Sequence, residues 1–194
     1  MNDINKKIIC SKNDIILTKI NNDFNISFKL KYNKNIFKFL NSKLFILIGE
    51  LNKEIIEDVK VVNKISNNEN DVLYVFKRFG SELGISKKHL LIKTLFHNNN
   101  NNNNNIEIIG KNINININKI INNSEPIDCH FSKLIISNIN NDFININYDF
   151  NMTINEDLPI YMNNIIGILM KKIFLNLKIF IDNFVYKEKD EQVK

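Results

Sequence analysis

Arginine is almost missing from this chain: Arg78 is the only one in 194 residues. Proteins that read base sequence rely on the bidentate guanidinium, so nucleic acid is not the expected partner despite a net charge of +5. Lysines carry that charge. They suit solvated faces, or a weak attraction to an anionic membrane surface, without reading any sequence. Cysteine is scarce as well, and Cys10 and Cys129 show neither zinc-ligand nor disulfide-framework spacing. Free thiols in a reducing compartment fit that pattern. Five glycines in all leave no phosphate-cradling loop and no G-x-S-x-G elbow. His89, His97 and His130 lack the spacing of a helical metal site. Cys129 and His130, adjacent on a strand, point to opposite faces and form no dyad. Glu54, Glu57 and Asp58 read as a solvated helix end. No catalytic group, metal or cofactor is expected. Met1 to Lys7 is polar and leads into no apolar signal segment, so a cytoplasmic location is expected.

What the chain does hold is one long apolar stretch near its end, Leu158 to Tyr186. Met162, Ile166, Leu169, Ile173, Leu177, Phe180 and Phe184 recur at helical spacing, and Ile165, Met170, Phe174, Ile181 and Val185 widen that face. Asn164, Lys171, Lys178 and Asp182 mark a narrow wet side, and the charges among them argue against a membrane span. Asn155, Glu156 and Asp157 offer capping groups, and Pro159 suits a first turn. A helix this broadly apolar needs a neighbour that wraps it.

The rest of the chain supplies strands. Ile15 to Ile20 and Phe24 to Tyr32 form a hairpin across Asn21-Asn22-Asp23, with Phe24, Ile26, Phe28 and Leu30 alternating with polar residues. From Asn35 to Leu51 the period turns helical, with Gly49 a break. Strands are predicted again at Val59–Ile65, Asp71–Phe79, Lys88–Phe96, Ile106–Ile117, Ile127–Ile139 and Phe143–Thr153, the turn Ser66–Asn70 joining the first two. The eight asparagines Asn98 to Asn105 read as a hairpin extension that builds no core. An antiparallel sheet with one apolar face, covered by the final helix, follows from this order.

Glu57–Ser66 followed by Asp71–Lys77 resembles the paired strands of START domains, the StAR-related lipid-transfer modules. Asn155–Asn164, with Leu158-Pro159 at its centre, is similar to the run that leads into that family's last helix. The resemblance spans roughly Asp14 to Tyr186 in element order. The chain departs from the family pattern at several places: Leu51-Asn52 stands for its helical Trp-Asp, Lys88-His89 for its Arg-Asp, and His130 falls near its strand arginine. No room is left before Asp14 for its N-terminal helix.

The resemblance implies an α+β helix-grip fold, a curved antiparallel sheet wrapped around the C-terminal helix, over residues 14–187. Residues 1–13 are then an N-terminal extension and 188–194 a charged tail. It further implies an internal apolar tunnel for a lipid or sterol-like ligand, without enzymatic activity, in a monomer that touches membranes transiently. The tunnel and lid candidates are Phe76, Leu83, Ile85, Ile115, Phe131, Ile146, Tyr148, Phe150, Met162, Ile166, Leu169, Met170 and Ile173. Leu83 and Ile85, in the glycine-bearing loop Gly80–Ser86, suit either a lid over the ligand or a pair of buried anchors. At about 0.8 kcal/mol per methylene, burying a long chain or sterol body contributes on the order of 10 kcal/mol. Two other readings stay open: a cyclase or thioesterase on the same fold, or an interaction module with a filled core.

Overall fold

The computed structural model describes residues 6–41, 43–79, 85–99, 105–113, 115, 123–138, 142–154 and 164–192. Among them, nine strands form one sheet. In chain order they are β1 (Lys7–Lys12), β2 (Ile15–Ile20), β3 (Asp23–Lys31), β4 (Ile56–Lys64), β5 (Glu69–Phe76), β6 (Lys88–Asn99), β7 (Asn105–Asn112), β8 (Glu125–Asn138) and β9 (Phe143–Ile154). A 3-10 turn (Lys34–Lys38) and α1 (Leu44–Leu51) lie between β3 and β4, and α2 (Ile165–Gln192) closes the chain. The spatial order is β1-β2-β3-β9-β8-β7-β6-β5-β4, with antiparallel neighbours throughout. One short exception exists: beyond the end of β7, β6 and β8 pair directly and in parallel, Lys88 beside Glu125 and His89 beside Pro126.

The turns follow from residue type. Asn13 and Asp14 join β1 to β2 in two successive left-handed conformations, φ 56° and 57°, which short polar side chains tolerate. Strict alternation then sets the sheet faces. Phe24, Ile26, Phe28 and Leu30 of β3 are buried, as are Ile144, Ile146, Tyr148, Phe150 and Met152 of β9. The two sets sit opposite each other, Phe28 beside Ile146 and Phe24 beside Phe150. β5 is buried on both sides. Val72, Tyr74 and Phe76 join the main core, whereas Leu73 and Val75 form a second cluster with Leu91, packed by Val62 and Ile113.

Helix α2 lies against the main core through Ile166, Ile173, Phe174, Leu177, Ile181 and Val185. The Phe174 ring is 4.8 Å from Tyr148 and 6.2 Å from Phe28, centroid to centroid. At Gly167 the helix comes so close to β3 that an added Cβ would lie 2.6 Å from the Phe24 ring. Asn52, fully buried at the end of α1, ties the two helices together. Its amide donates to the Ile48 carbonyl (2.8 Å) and, more weakly, to that of Ile173 on α2 (3.4 Å). Asn176 of α2 donates in turn to the Asn52 side-chain oxygen at 2.9 Å and to Glu54 at 2.7 Å.

Several sequence expectations change. Residues 7–12 are not a separate extension but the edge strand β1, in register with β2. Helix α2 runs to Gln192, through most of the supposed tail. The stretch expected to start it, Leu158 to Asn163, lies outside the described residues. Gly49 does not break α1; it sits inside the helix, where a Cβ would collide with Val59. Lys171 is not on a wet face: it is buried under β1, its Nζ 3.1 Å from Cys10 Sγ and 3.5 Å from the Lys12 carbonyl. The solvent side carries Ile168 and Ile179 instead.

Two outcomes test this account. Replacing Asn52 with leucine strips Asn176 of a buried acceptor, so urea unfolding should show a loss of about 2–3 kcal/mol. Replacing residues 100–104, which join the paired Asn99 and Asn105, with Asn-Gly should move the melting temperature by no more than about 2 °C, because lengthening or shortening a hairpin connection costs little.

Candidate functional site

An apolar space lies between the sheet, α1 and α2. Leu44, Phe45 and Ile48 come from α1, and Met170, Ile173 and Phe174 from α2. The strands contribute a floor of Tyr74, Phe76, Leu90, Ile92, Ile108, Leu134 and Tyr148, with Asn68, Asn70, Thr94, Phe96, Gly110 and Ser132 as its more polar or rim positions. The free space amounts to about 80 Å³. An engineered apolar cavity that takes up benzene measures roughly 150 Å³. A lipid therefore enters only as side chains withdraw. Met170, with three rotatable bonds, and the half-buried Phe96 and Ile108 are the lining groups best able to do so.

Four of the sequence candidates line this space: Phe76, Tyr148, Met170 and Ile173. Ile146, Phe150 and Ile166 are buried in the surrounding core without lining it, and Leu169 packs half-buried against that core. Phe131 and Ile115 are exposed. The reason for Phe131 is a bulge at His130, where the β8–β9 register slips between Cys129 and Phe131. Ile127 and Cys129 point inward before it, and Ser132, Leu134 and Ile136 after it. Leu83 and Met162 lie outside the described residues. Ile85 is fully buried yet does not line the cavity, the placement of an anchor rather than of a lid tip.

Asn70, Tyr74, Thr94 and Ser132 were missed by the sequence reading. The signal is parity: Asn70 shares the face of Val72, Tyr74 and Phe76, although it also closes the expected turn Ser66–Asn70. Tyr74 and Tyr148 are deeply buried, and desolvation raises both phenols far above their ordinary value, so they stay neutral donors. The Ser132 hydroxyl is within hydrogen-bonding reach of Tyr148 and of Cys129, whose thiol burial pushes up to about 11. None of the described lining residues is charged. Lys88, fully buried, reaches Glu125 (2.8 Å) and Ser86 (2.9 Å) beside the β6–β8 pairing. Its neighbour His89 meets the Ser124 hydroxyl at 2.9 Å, and burial, with the Lys88 charge alongside, holds its imidazole below the usual value. Neither residue lines the cavity. His130 is on the outer face. Among the described residues, no group of three or more His, Cys, Asp or Glu side chains could hold a metal ion, and no helix is long and apolar enough to cross a membrane.

No protein-family model matches the sequence, and no curated protein matches it. Solved structures do. Human StAR-related lipid transfer protein 5 superimposes with a TM-score of 0.73 at 12% identity, over 92% of this chain and 87% of that one. The chain has the START fold. The lipid transfer and protein localization domain of human DLC2 gives 0.69 at 9% identity, covering 89% and 87% of the two chains. A STAR-related lipid transfer protein of Xanthomonas axonopodis gives 0.63 at 8% identity, covering 91% and 98%. The helix-grip arrangement expected from the sequence is thereby present, with α2 held by the antiparallel sheet.

Ile85 offers a direct test of anchor against lid. Truncating a fully buried isoleucine leaves a cavity, so Ile85→Ala should lower stability by about 2–4 kcal/mol in urea unfolding. A peripheral flap residue would cost under about 1 kcal/mol.

Proposed function

We propose that this chain is a lipid-binding module, non-enzymatic, which takes a hydrophobic ligand between the sheet and its two helices. The observation that carries the reading is the enclosed apolar space itself, lined from both helices and from β5, β6, β7, β8 and β9, in a fold shared with proteins named for lipid transfer. Pockets for such ligands are mostly apolar with a few placed polar groups, which is the composition found here. Transfer between membranes, transient contact of the lysine-rich surface with anionic lipid, a monomeric state and a cytoplasmic location belong to the same proposal. The ligand dissolves into the cavity when the lining loosens, and its hydrocarbon replaces contacts that Met170 and its neighbours make in the closed state.

A second reading, an interaction module with a filled core, is favoured by the small free volume of about 80 Å³. The two separate in one experiment. Solvent extraction of the purified protein followed by mass spectrometry should release lipid near one equivalent per chain. Ile92→Phe, which fills the floor of the cavity, should reduce that yield at least about ten-fold while the protein still melts cooperatively. Lipid-free wild type that also takes up none from vesicles would favour the filled core.

A further inference from the structure

The strand register places four small or polar residues in one row across the inner face of the sheet. Asn70 pairs with Thr94, Thr94 with Gly110, and Gly110 with Ser132. The row then turns aromatic at Phe150 and Phe24, whose rings stack 5.3 Å apart. All four of the small or polar residues line the cavity. Both hydroxyls are engaged: Thr94 donates to the Asn70 backbone carbonyl at 3.1 Å, and Ser132 lies against Tyr148 and Cys129. The Asn70 carboxamide is different. It is more than nine-tenths buried, faces the cavity, and hydrogen-bonds to no described residue. Its polar atoms are not among the fully buried ones that lack a partner, so they reach the free space of the cavity, where a ligand group can meet them. An amide offers both donors and an acceptor, which suits a hydroxyl or a carbonyl. It offers nothing to offset the desolvation of an ion, and none of the described lining residues is charged to do so.

Resting on the lipid-binding reading, we infer that the cavity takes an uncharged amphiphile, its hydroxyl or carbonyl head held by Asn70 and its hydrocarbon laid along Leu90, Ile92, Leu134 and Ile173. Ionised head groups of either sign are rejected. Tyr74, neutral and on the same face of β5, provides a further hydrogen-bonding group for a ligand with a second oxygen.

The test compares 1-octanol, octanoate, octylammonium and toluene with the full chain at neutral pH, by equilibrium dialysis. Octanol should bind at least about ten-fold tighter than either ion. Asn70→Leu should weaken octanol about ten-fold and leave toluene unchanged, since toluene needs no head contact. An ion binding as tightly as octanol would overturn the inference and leave the lipid-binding reading standing. So would an octanol affinity that Asn70→Leu does not change. Failure of all four probes, toluene included, would remove the lipid-binding reading itself. Should Asn70→Leu not fold, the wild-type comparison of alcohol with ions decides alone.

Discussion

Asn52 is the point on which the cavity depends. A short helix such as α1 has no length to stabilise itself, yet Leu44, Phe45 and Ile48 must stay over the sheet for an enclosed space to exist. The Asn52 amide reaches a carbonyl of its own helix and one of α2, and accepts from Asn176. The fully buried Asn52 side chain thereby has both its donor and its acceptor engaged. Without that junction α1 would be held mainly by apolar contact, which is non-directional and fixes no single pose, together with the Asn176 contacts to the Leu51 carbonyl and to Glu54. The sheet and α2 would remain, but their shared volume would have no fixed roof.

Much of the fold was legible in the sequence, and for identifiable reasons. Alternation in β3 and β9 is strict, so the faces assigned to Phe24, Phe28, Ile146 and Phe150 follow at once. The asparagine-rich turn at Asn21 is a signal in residue type as well as position, whereas the turn at Asn13, which makes β1 part of the sheet, was not read from the sequence. Legibility stops where a single residue is inserted. The slip at His130 turns Phe131 outward, and no periodicity announces it. It also stops where burial is decided by a distant strand: Lys171 looks like a solvated charge until β1 lies across it.

The candidate site was less legible than the fold, and composition explains why. Asparagine is so heavily used in this chain that any one of them carries little weight, and Asn70 sits beside a turn rich in the same residue. Its meaning comes from register, because only the pairings through Thr94 and Gly110 to Ser132 bring the row together. Residues that are 62 positions apart share one row, and nothing local to any of them records it. The apolar lining shows the opposite behaviour: Phe76, Tyr148, Met170 and Ile173 each stand on a readable face of a readable element.

The two bulges in β4, between Ile56 and Asp58 and between Val61 and Asn63, have a consequence for the protein's behaviour in a crowd. An open sheet has two rims, and each is a template on which another chain can add a strand. A sequence rich in isoleucine and asparagine is prone to such self-association. Along β4 the slips interrupt the run of unpaired backbone groups, and the exposed Lys60 and Lys64 discourage a neutral neighbour. At the other rim β1 is six residues long with a slip of its own, and Lys7 and Lys12 stand at its ends. The asparagines flanking residues 100–104 belong to β6 and β7 and pair across that hairpin, Asn98 with Ile106 and Asn99 with Asn105. Both rims of the described sheet are thus interrupted by a slip and flanked by lysines.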